Sequence, residues 1–266
     1  MISPAKVALF IPDNLKKFKR KLFERIGVSI IRQGGRVIYH DPAKMDDLPE
    51  KIVPIVGCHP ELRSRIDQWS ATGRTFIYWD RGYCRRIFAT WLPRPTSGSG
   101  YYRWTVNAFQ MREIRNVPKD RWMAVKTPTA PWSEGGRHIV VAAPSATYHA
   151  FHGTHDWEQK TVEILKRYTD RPLIIREKLC ARPLADDLKG AHALVTHQSN
   201  AGVEAVIMGC PVFVDLGSAA ALVGQTDLAN IETPIYPDRK PWLWSLAYSQ
   251  FSEEELVDGT LWRHLA

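Results

Sequence analysis

Long apolar runs and closely spaced cysteines are both missing from this chain of 266 residues. No apolar stretch approaches the ~20 residues that a membrane-spanning helix requires. The short apolar run near the start precedes a charged stretch, which is the reverse of the order in an export signal. Only four cysteines occur and none forms a Cys-x-x-Cys pair, which argues against a disulfide framework and a zinc site. We therefore expect a cytoplasmic protein with reduced thiols.

Several motifs of cofactor and metal binding are also missing. The sequence contains no Gly-x-Gly-x-x-Gly, no phosphate-binding P-loop and no Gly-x-Ser-x-Gly nucleophile turn. No Asp-x-Asp pair is present that could bridge a metal ion to a diphosphate. His149 and His152 lack a third ligand at a clear spacing. We therefore expect no cofactor and no metal ion, so that a bound diphosphate would be neutralised by helix dipoles, Arg and Lys.

The composition instead provides enough apolar residues for a core and a surplus of positive charge. Hydrophobic residues make up 44% of the chain, which is typical of a globular protein. The formal net charge is +8, and basic residues cluster at 16–21, 81–86 and 103–121. Such a surplus favours an anionic partner, which could be nucleic acid, a membrane surface or a phosphorylated substrate. The alternative is that these charges only keep the protein soluble.

Short apolar runs alternate with amphipathic stretches in both halves of the chain. In the first half, we predict strands at 7–11, 36–39, 51–56 and 75–79. In the second half, we predict strands at 137–142, 172–176, 193–196 and 212–214. Residues 128–136, rich in Pro, Gly and Ser, are typical of a linker between the halves. The alternation predicts an α/β fold of two Rossmann-like lobes with parallel sheets and a cleft between them.

The stretch "THQSNAGVEAVIMGCPVFVDLG" in the second half has a polar turn between two apolar runs. Ser199 or Asn200 can cap the helix that follows, whose free N–H groups attract phosphate. His197 could donate to phosphate, and Gly202 would let a ligand approach the backbone. Glu204 could accept hydrogen bonds from the hydroxyls of a ribose. The alternative is a well-capped helix in which Glu204 complements the helix dipole.

Two other predicted strand ends in the second half carry polar side chains. In "IIREK", Arg176 and Lys178 leave a buried strand on one side, where an Arg fork and a Lys charge would hold phosphate oxygens. Ser145 follows the preceding strand, and His149 and His152 come shortly after it. Because the carboxyl ends of parallel strands share one edge, we expect a ligand site there. The alternative for each residue is an ordinary solvated side chain.

Asp80 lies at the predicted carboxyl end of a strand in the first half, within "YWDRGY". A carboxylate there is a candidate general base, or a group that orients the ligand. The alternative is that Asp80 pairs with Arg81 or caps a turn. Aromatic and polar residues that suit stacking on bases or sugars follow it, namely Arg81, Tyr83, Tyr101, Tyr102, Arg103 and Asn107.

The chain resembles a glycosyltransferase of the two-lobed GT-B type, chiefly over residues 139–217. The stretches "PLIIREK" and "PLADDLKGAHALVTHQSNAGVEAVIMGCPVFVD" resemble the donor-binding half of capsule-type sugar transferases and, more closely, that of bacteriophage glycosyltransferases. The segments "DRGY" and "YYRWTVNAFQ" are similar to bacteriophage glycosyltransferases that modify hydroxymethylated DNA bases. The resemblance implies a lobe at 131–240 that binds a nucleotide-sugar donor, such as a UDP-sugar. It also implies an acceptor-binding lobe at 1–130, to which a C-terminal helix at 241–266 returns.

The resemblance also implies roles for individual residues. The donor would be bound by Ser145, Arg176, Lys178, His197, Ser199, Asn200, Gly202 and Glu204. Asp80 would be the catalytic base. The acceptor would contact Arg81, Tyr83, Tyr101, Tyr102, Arg103 and Asn107.

The first functional hypothesis is metal-independent transfer of a sugar to the hydroxymethyl group of a modified pyrimidine in double-stranded phage DNA, in the host-cell cytoplasm. The basic first half would follow the phosphates, and the loop at 94–107 would contact a flipped base. The second hypothesis is a capsule- or polysaccharide-type sugar transferase with the same donor site. The third is a non-catalytic module that binds a nucleotide or DNA. We expect no membrane partner.

Overall fold

The computed structural model describes residues 2, 6–10, 17–38, 51–57, 60–84, 100–178 and 182–265. The chain divides into two compact units, each with its own sheet. Unit 1 comprises Met1–Gly82, Pro95–Phe109 and Ser249–Ala266, and unit 2 comprises Tyr83–Arg94 and Gln110–Tyr248. Of the predicted features, the basic residues at 85–86 and the first part of the loop at 94–107 lie outside the described residues.

Unit 1 is built on a six-stranded sheet. Its strands are β1 (Val7–Phe10), β2 (Arg36–Ile38), β3 (Val53–Val56), β4 (Ile77–Arg81), β5 (Tyr101–Val106) and β10 (Gln250–Ser252), in the order β10-β5-β4-β3-β1-β2. The pairs among β1 to β4 are parallel, as predicted, whereas β5 runs antiparallel to both β4 and β10. The strand β5 was missed because its interleaved Tyr and Arg residues were interpreted as ligand contacts.

The described helices of unit 1 are α1 (Lys17–Arg32), α2 (Arg63–Ala71), α9 (Glu253–Val257) and α10 (Thr260–His264). Helix α1 buries Phe23, Ile26 and Ile30, whose three- and four-residue spacing places them on one face. That face supplies part of the core of unit 1.

A capping box at Ser252 starts helix α9. Ser252 Oγ accepts a hydrogen bond from Glu255 N at 3.3 Å, and Glu255 Oε2 accepts one from Ser252 N at 2.8 Å. The C-terminal helix expected at 241–266 is not continuous, and its last part forms the two helices α9 and α10. Gly259 separates them, because its φ of +88° lies in the left-handed region, which favours glycine.

Unit 2 is built on four parallel strands. They are β6 (His138–Ala142), β7 (Leu173–Arg176), β8 (Ala191–Thr196) and β9 (Val212–Val214), in the order β7-β6-β8-β9. Every residue of β8 is buried, as its apolar run predicts for a central strand. The strand that follows β6 in the chain lies on one side of it, and β8 lies on the other. This reversal is a topological switch point, at which open parallel sheets bind ligands.

The described helices of unit 2 are α3 (Asp120–Val125), α4 (Ala146–His152), α5 (Trp157–Tyr168), α6 (Leu184–Leu188), α7 (Asn200–Ile207) and α8 (Lys240–Ala247). The core between sheet and helices is formed by Ile139, Val141, Leu165, Ala193, Val195, Phe213 and Ile231. All of them except Ile231 come from β6, β8, β9 and α5, so burial of apolar side chains holds the sheet and α5 together.

The stretch at 128–136, predicted to be a linker between lobes, is part of unit 2. Ala130 N donates to Ile207 O at 3.1 Å, next to the end of α7. The buried Arg239 donates to Ala130 O, and its guanidinium lies 4.3 Å from the centre of the Trp132 ring. These contacts bind the stretch to the folded unit.

The division of the chain differs in part from the predicted lobes. Residues 110–130 belong to unit 2, whereas the prediction placed 1–130 in one lobe. Residues 249–266 belong to unit 1, and 241–248 belong to unit 2. The predicted α/β class with mainly parallel sheets is confirmed. Within the described residues, no helix is both long enough and apolar enough to cross a membrane.

Candidate functional site

The carboxyl ends of β6 and β8 are bound to each other in unit 2. Thr196, the last residue of β8, donates its hydroxyl proton to the carbonyl oxygen of Ala142, the last residue of β6, at 2.7 Å. The loops that follow, at 143–145 and 197–199, therefore emerge side by side. They lie at the switch point of the sheet, where a ligand is expected.

Each of these loops ends in a serine that caps the next helix. Ser199 Oγ accepts a hydrogen bond from Ala201 N at 3.3 Å at the start of α7. Ser145 Oγ accepts one from Tyr148 N at 3.3 Å at the start of α4. Of the two predicted caps for α7, Ser199 is the one observed, and Asn200 is the buried first residue of the helix. The positive end of α7 therefore lies at the switch point.

His197 is held by Tyr148, which follows the neighbouring strand. Nδ1 of His197 lies 2.6 Å from the Tyr148 hydroxyl. Burial lowers the pKa of His197 below its usual value of 6.5, while Asp215 raises it and His149 lowers it to smaller extents. The imidazole is therefore mainly neutral at pH 7, with one nitrogen as donor and the other as acceptor.

Asp215 belongs to this site and was missed from the sequence. It directly follows β9, and its N–H donates to His197 O at 3.1 Å. Its Oδ1 accepts hydrogen bonds from Gln198 Nε2 at 2.7 Å and Gly217 N at 2.8 Å, and its Oδ2 lies 3.9 Å from His197 Nε2. An acidic residue directly after a predicted parallel strand was the available signal, because it must share an edge with the other strand ends.

Gln110 is a second residue of the site that was missed. Its buried side chain donates from Nε2 to Gln198 O and accepts at Oε1 from Ala219 N at 2.8 Å. One amide thus ties the turn after β8 to the 3-10 turn Ala219–Leu222. No local signal points to this residue, because Gln110 and Gln198 are 88 positions apart.

Gly202 and Glu204 lie on α7 but face the interior. A Cβ on Gly202 would lie 3.1 Å from Val214 Cγ1 and 3.3 Å from Thr196 Cγ2. Glycine therefore lets α7 pack closely on β8 and β9, whereas the sequence had suggested that it admits a ligand. Only 4% of Glu204 is exposed. Its contact with a ribose stays a prediction, which requires the ribose to reach a buried carboxylate.

Arg176 is engaged in an ion pair at the end of β7. Its Nη1 donates to Asp187 Oδ2, and its Nη2 donates to Arg182 O at 2.6 Å. Arg182 Nε also binds Asp187, at 2.6 Å from Oδ1, so that two guanidinium groups compensate one buried carboxylate. These donors are engaged within the protein and not directed at a ligand. Lys178 is exposed after β7, and its contact with phosphate stays a prediction.

Asp80 and Arg103 form an ion pair in unit 1. They are paired residues on the antiparallel strands β4 and β5, and Arg103 Nη2 donates to Asp80 Oδ2 at 2.8 Å. Asp80 Oδ1 accepts a hydrogen bond from Arg81 N at 2.7 Å. Arg103 is buried beside Tyr78, with its guanidinium 5.9 Å from the ring centre. Arg103 therefore orients Asp80, instead of reaching an acceptor as predicted, and the role of Asp80 as base stays a prediction.

Other predicted acceptor contacts are also occupied within the protein. Tyr83 and Tyr102 are buried, and the Tyr83 hydroxyl accepts a hydrogen bond from Met111 N at 2.7 Å. Asn107 Oδ1 accepts one from Phe76 N at 2.9 Å, in a turn where Asn107 has a φ of 53°. Asn107 thus stabilises a turn, and the two tyrosines pack in the interior. The predicted acceptor residues that keep exposed surface are Arg81, Tyr101 and Asn107, and their contact with an acceptor stays a prediction.

Aromatic and imidazole rings surround the Tyr148–His197 pair. Tyr148 stacks on His152 with ring centres 4.0 Å apart, and Trp157 meets His197 edge-on at 6.2 Å. No group of three or more His, Cys, Asp or Glu side chains in the described part of the chain could hold a metal ion. His152 and Trp157 therefore pack against the two members of the Tyr148–His197 pair.

Comparisons with known proteins assign no family to this chain. No protein-family model and no curated protein matches it. It is similar in structure to Thermosulfurimonas dismutans KpsC, beta Kdo 2,7 transferase, with 13% identity and a TM-score of 0.49 over 96% of this chain and 99% of that one. It is also similar to Thermosulfurimonas dismutans KpsC, beta Kdo 2,4 transferase, with 10% identity and a TM-score of 0.48 over 92% and 91% of the two chains. At these values the matches carry no argument about function, and neither description names a DNA-modifying enzyme.

Proposed function

We propose that this protein is a glycosyltransferase that takes its sugar from a nucleotide-sugar bound by unit 2. The observation that carries the proposal is the switch point between β6 and β8, where the N-terminus of α7 and the Tyr148–His197 pair come together. A helix N-terminus favours a diphosphate, and open parallel sheets bind nucleotides at this position. The resemblance of residues 139–217 to GT-B enzymes supports a sugar as the group that is transferred.

In this proposal, helix α7 stabilises the leaving group and the carboxylate of Asp80 acts as the base. Negative charge develops on the departing nucleotide as the bond to the sugar breaks, and the positive N-terminal end of the α7 dipole stabilises that charge. Asp80 removes the proton from the acceptor hydroxyl, so that its oxygen attacks the anomeric carbon. Arg103 holds the Asp80 carboxylate in place through their 2.8 Å contact. Independence from metal ions is part of the proposal and is tested with a chelator.

For the acceptor, we propose a hydroxyl group of a carbohydrate. Tyr83, Tyr102 and Arg103, which the DNA hypothesis requires at the surface, are buried. Their burial removes half of the six side chains expected to contact the acceptor, on which a duplex with a flipped base depends more than a single carbohydrate hydroxyl does, and the donor site does not depend on them. The hydroxymethylpyrimidine of DNA is the second candidate, because the net charge of +8 favours a polyanion.

The test combines donors and acceptors in one matrix with the purified full chain. UDP-, GDP-, ADP- and CMP-sugars are incubated with an oligosaccharide pool, hydroxymethylated DNA or unmodified DNA, and products are detected by mass spectrometry. We expect a gain of one sugar mass on an oligosaccharide with one donor, unchanged by EDTA, and none on unmodified DNA. Product on hydroxymethylated DNA alone would select the second acceptor.

Absence of product from every combination would contradict the proposed function. A thermal-shift scan with the free nucleotides then separates the remaining possibilities, because a ligand that binds only the folded state raises the melting temperature. A shift without transfer would indicate a non-catalytic nucleotide-binding module.

A further inference from the structure

We propose that His197 and Asp215 form a subsite for a sugar hydroxyl group, and that His197 is not a phosphate ligand. This inference rests on the proposed function, because the hydroxyl would belong either to the ribose or to the transferred sugar of the nucleotide-sugar. It replaces the phosphate contact that the sequence suggested for His197.

Tyr148 determines how the His197 ring is oriented and protonated. The Tyr148 hydroxyl lies 2.6 Å from Nδ1, and the Asp215 carboxylate faces Nε2 on the other side of the ring. A proton on Nδ1 would leave the lone pair of Nε2 facing a negatively charged oxygen, which is repulsive. From this network we assign the proton to Nε2, with Tyr148 donating to Nδ1.

Asp215 is fixed through its other carboxylate oxygen. Oδ1 accepts hydrogen bonds from Gln198 Nε2 at 2.7 Å and Gly217 N at 2.8 Å. A Cβ on Gly217 would lie 2.2 Å from Gln198 Nε2, so the glycine leaves room for this amide. Oδ2 therefore has a defined position. Among the described residues, neither Oδ2 nor His197 Nε2 makes a hydrogen bond.

The gap between these two atoms fits a hydroxyl group. Nε2 of His197 and Oδ2 of Asp215 are 3.9 Å apart, which is too far for a direct hydrogen bond. A hydroxyl oxygen at about 2.8 Å from both atoms would accept from Nε2–H and donate to Oδ2. The two side chains are 14% and 41% exposed, so a ligand can reach the gap.

The net charge of His197 and Asp215 disfavours the binding of a phosphate group. His197 is mainly neutral at pH 7 because its pKa is lowered by burial, so the charge that a ligand meets is that of the Asp215 carboxylate. An ionised phosphate oxygen has no proton to donate to Oδ2 and is repelled by it. A sugar hydroxyl supplies both the acceptor that Nε2–H needs and the donor that Oδ2 needs.

The variant Asp215→Asn distinguishes a hydroxyl ligand from a phosphate, because it should weaken the binding of the first and strengthen the binding of the second. Asparagine keeps the Oδ1 contacts with Gln198 and Gly217 but replaces the acceptor Oδ2 with an N–H donor. Binding to the full chain is measured by calorimetry with UDP, GDP, ADP and CMP, and with one sugar conjugate of each. For a hydroxyl ligand, we expect about tenfold weaker binding or more. A phosphate at this position would bind more tightly, because a repulsive charge is removed.

The matched control is Asp227→Asn. It removes the same charge from unit 2 at the 3-10 turn Leu228–Asn230, where Asp227 caps Ala229 N. Its ligand affinity should equal that of the wild type. A parallel loss in both variants would mean that only the net charge matters, and would overturn the subsite.

The loss of affinity for free nucleotides, compared with that for their sugar conjugates, identifies which hydroxyl group binds. An equal loss for free nucleotides and conjugates assigns the ribose, and a loss confined to conjugates assigns the transferred sugar. Unchanged or tighter binding to Asp215→Asn overturns the subsite and leaves the proposed function standing. A wild-type chain that binds no probe contradicts the proposed function, and the subsite falls with it.

His197→Phe supplies a second measurement if Asp215→Asn does not fold. If the ring binds a hydroxyl, the loss of affinity should be the same at about 0.05 M and 0.5 M salt, because no ionic contact is removed. A loss that shrinks with salt would identify an imidazolium bound to phosphate and would overturn the subsite.

Discussion

The hydroxyl of Tyr148 and Nδ1 of His197 lie 2.6 Å apart and connect the helix after β6 to the loop after β8. Because the order of strands reverses between β6 and β8, this contact spans the switch point of the sheet. The two loops of the site are therefore joined before a ligand binds. Because Tyr148 orients the His197 ring, a substitution of Tyr148 should change the pKa and the ligand contacts of His197.

Tyr148→Phe should raise the pKa of His197 toward 6.5 and weaken nucleotide-sugar binding. The phenol proton donated to Nδ1 favours the neutral imidazole, and phenylalanine can keep the stacking on His152. We expect a loss of affinity of about 5- to 20-fold, because the ring is no longer oriented. NMR titration of His197 and calorimetry measure the two effects. Tyr168→Phe, at an exposed position on α5, is the control. An unchanged titration of His197 would refute the first half of the prediction.

Acid should destabilise the protein through His197. Its folded-state pKa lies below the unfolded value of 6.5 because of burial, so the unfolded chain takes up the proton first. The contribution to the free energy of unfolding is complete above about pH 6.5 and declines as the pH falls toward the folded-state pKa. Urea unfolding of the wild type and of His197→Gln across this range isolates the effect. Identical pH dependence in both proteins would show that His197 contributes nothing.

The local part of the site could be predicted because it depends on residues close together in the chain. A strand at 212–214 was predicted at its observed bounds, and the other strands of unit 2 within two residues at either end. Ser199 was one of two predicted caps, since a small hydroxyl side chain before an apolar helical run suits that position. Apolar periodicity and capping chemistry are short-range, so they can be read from the sequence.

Contacts that depend on the tertiary fold could not be predicted in this way. Gln110 meets Gln198 across 88 positions, and Asp80 meets Arg103 only because β5 runs antiparallel to β4. The side chain of Arg176 is equally suited to a phosphate and to a buried carboxylate. In the structure Arg176 binds a carboxylate, because α6 places Asp187 at the end of β7.

Gln110→Ala should destabilise unit 2 at the turn after β8. The variant removes the partner of Gln198 O and of Ala219 N, and a buried polar group left unsatisfied costs about 1–3 kcal/mol. We expect the free energy of unfolding in urea to fall by about 2–4 kcal/mol. Gln159→Ala is the control, because its amide is exposed on α5 and donates only to Glu163 among the described residues, so we expect a change within about 0.5 kcal/mol. A similarly small effect of Gln110→Ala would exclude the proposed role of its amide.

Asp80→Asn should lose transferase turnover and keep donor affinity. Asparagine cannot take the proton of the acceptor hydroxyl, and the proposed donor site lies in unit 2, so we expect turnover to fall about 100-fold or more. The variant also removes the ionic partner of the buried Arg103, so thermal stability is measured on the same samples. Asp67→Asn is the control, since Asp67 is also ion-paired in unit 1, at 3.0 Å from Arg63. Full turnover in Asp80→Asn would remove this residue from the role of base.

Gly202→Ala distinguishes close packing from close approach of a ligand. The added Cβ would lie 3.1 Å from Val214 Cγ1 and 3.3 Å from Thr196 Cγ2. Both neighbours are stiff β-branched side chains, and the hydrogen bond from Thr196 to Ala142 O holds one of them. The better helix propensity of alanine offsets part of the strain, so we expect a net loss of stability of about 1 kcal/mol with unchanged nucleotide-sugar affinity. Weaker affinity at unchanged stability would instead mean that the ligand itself needs the space beside Gly202.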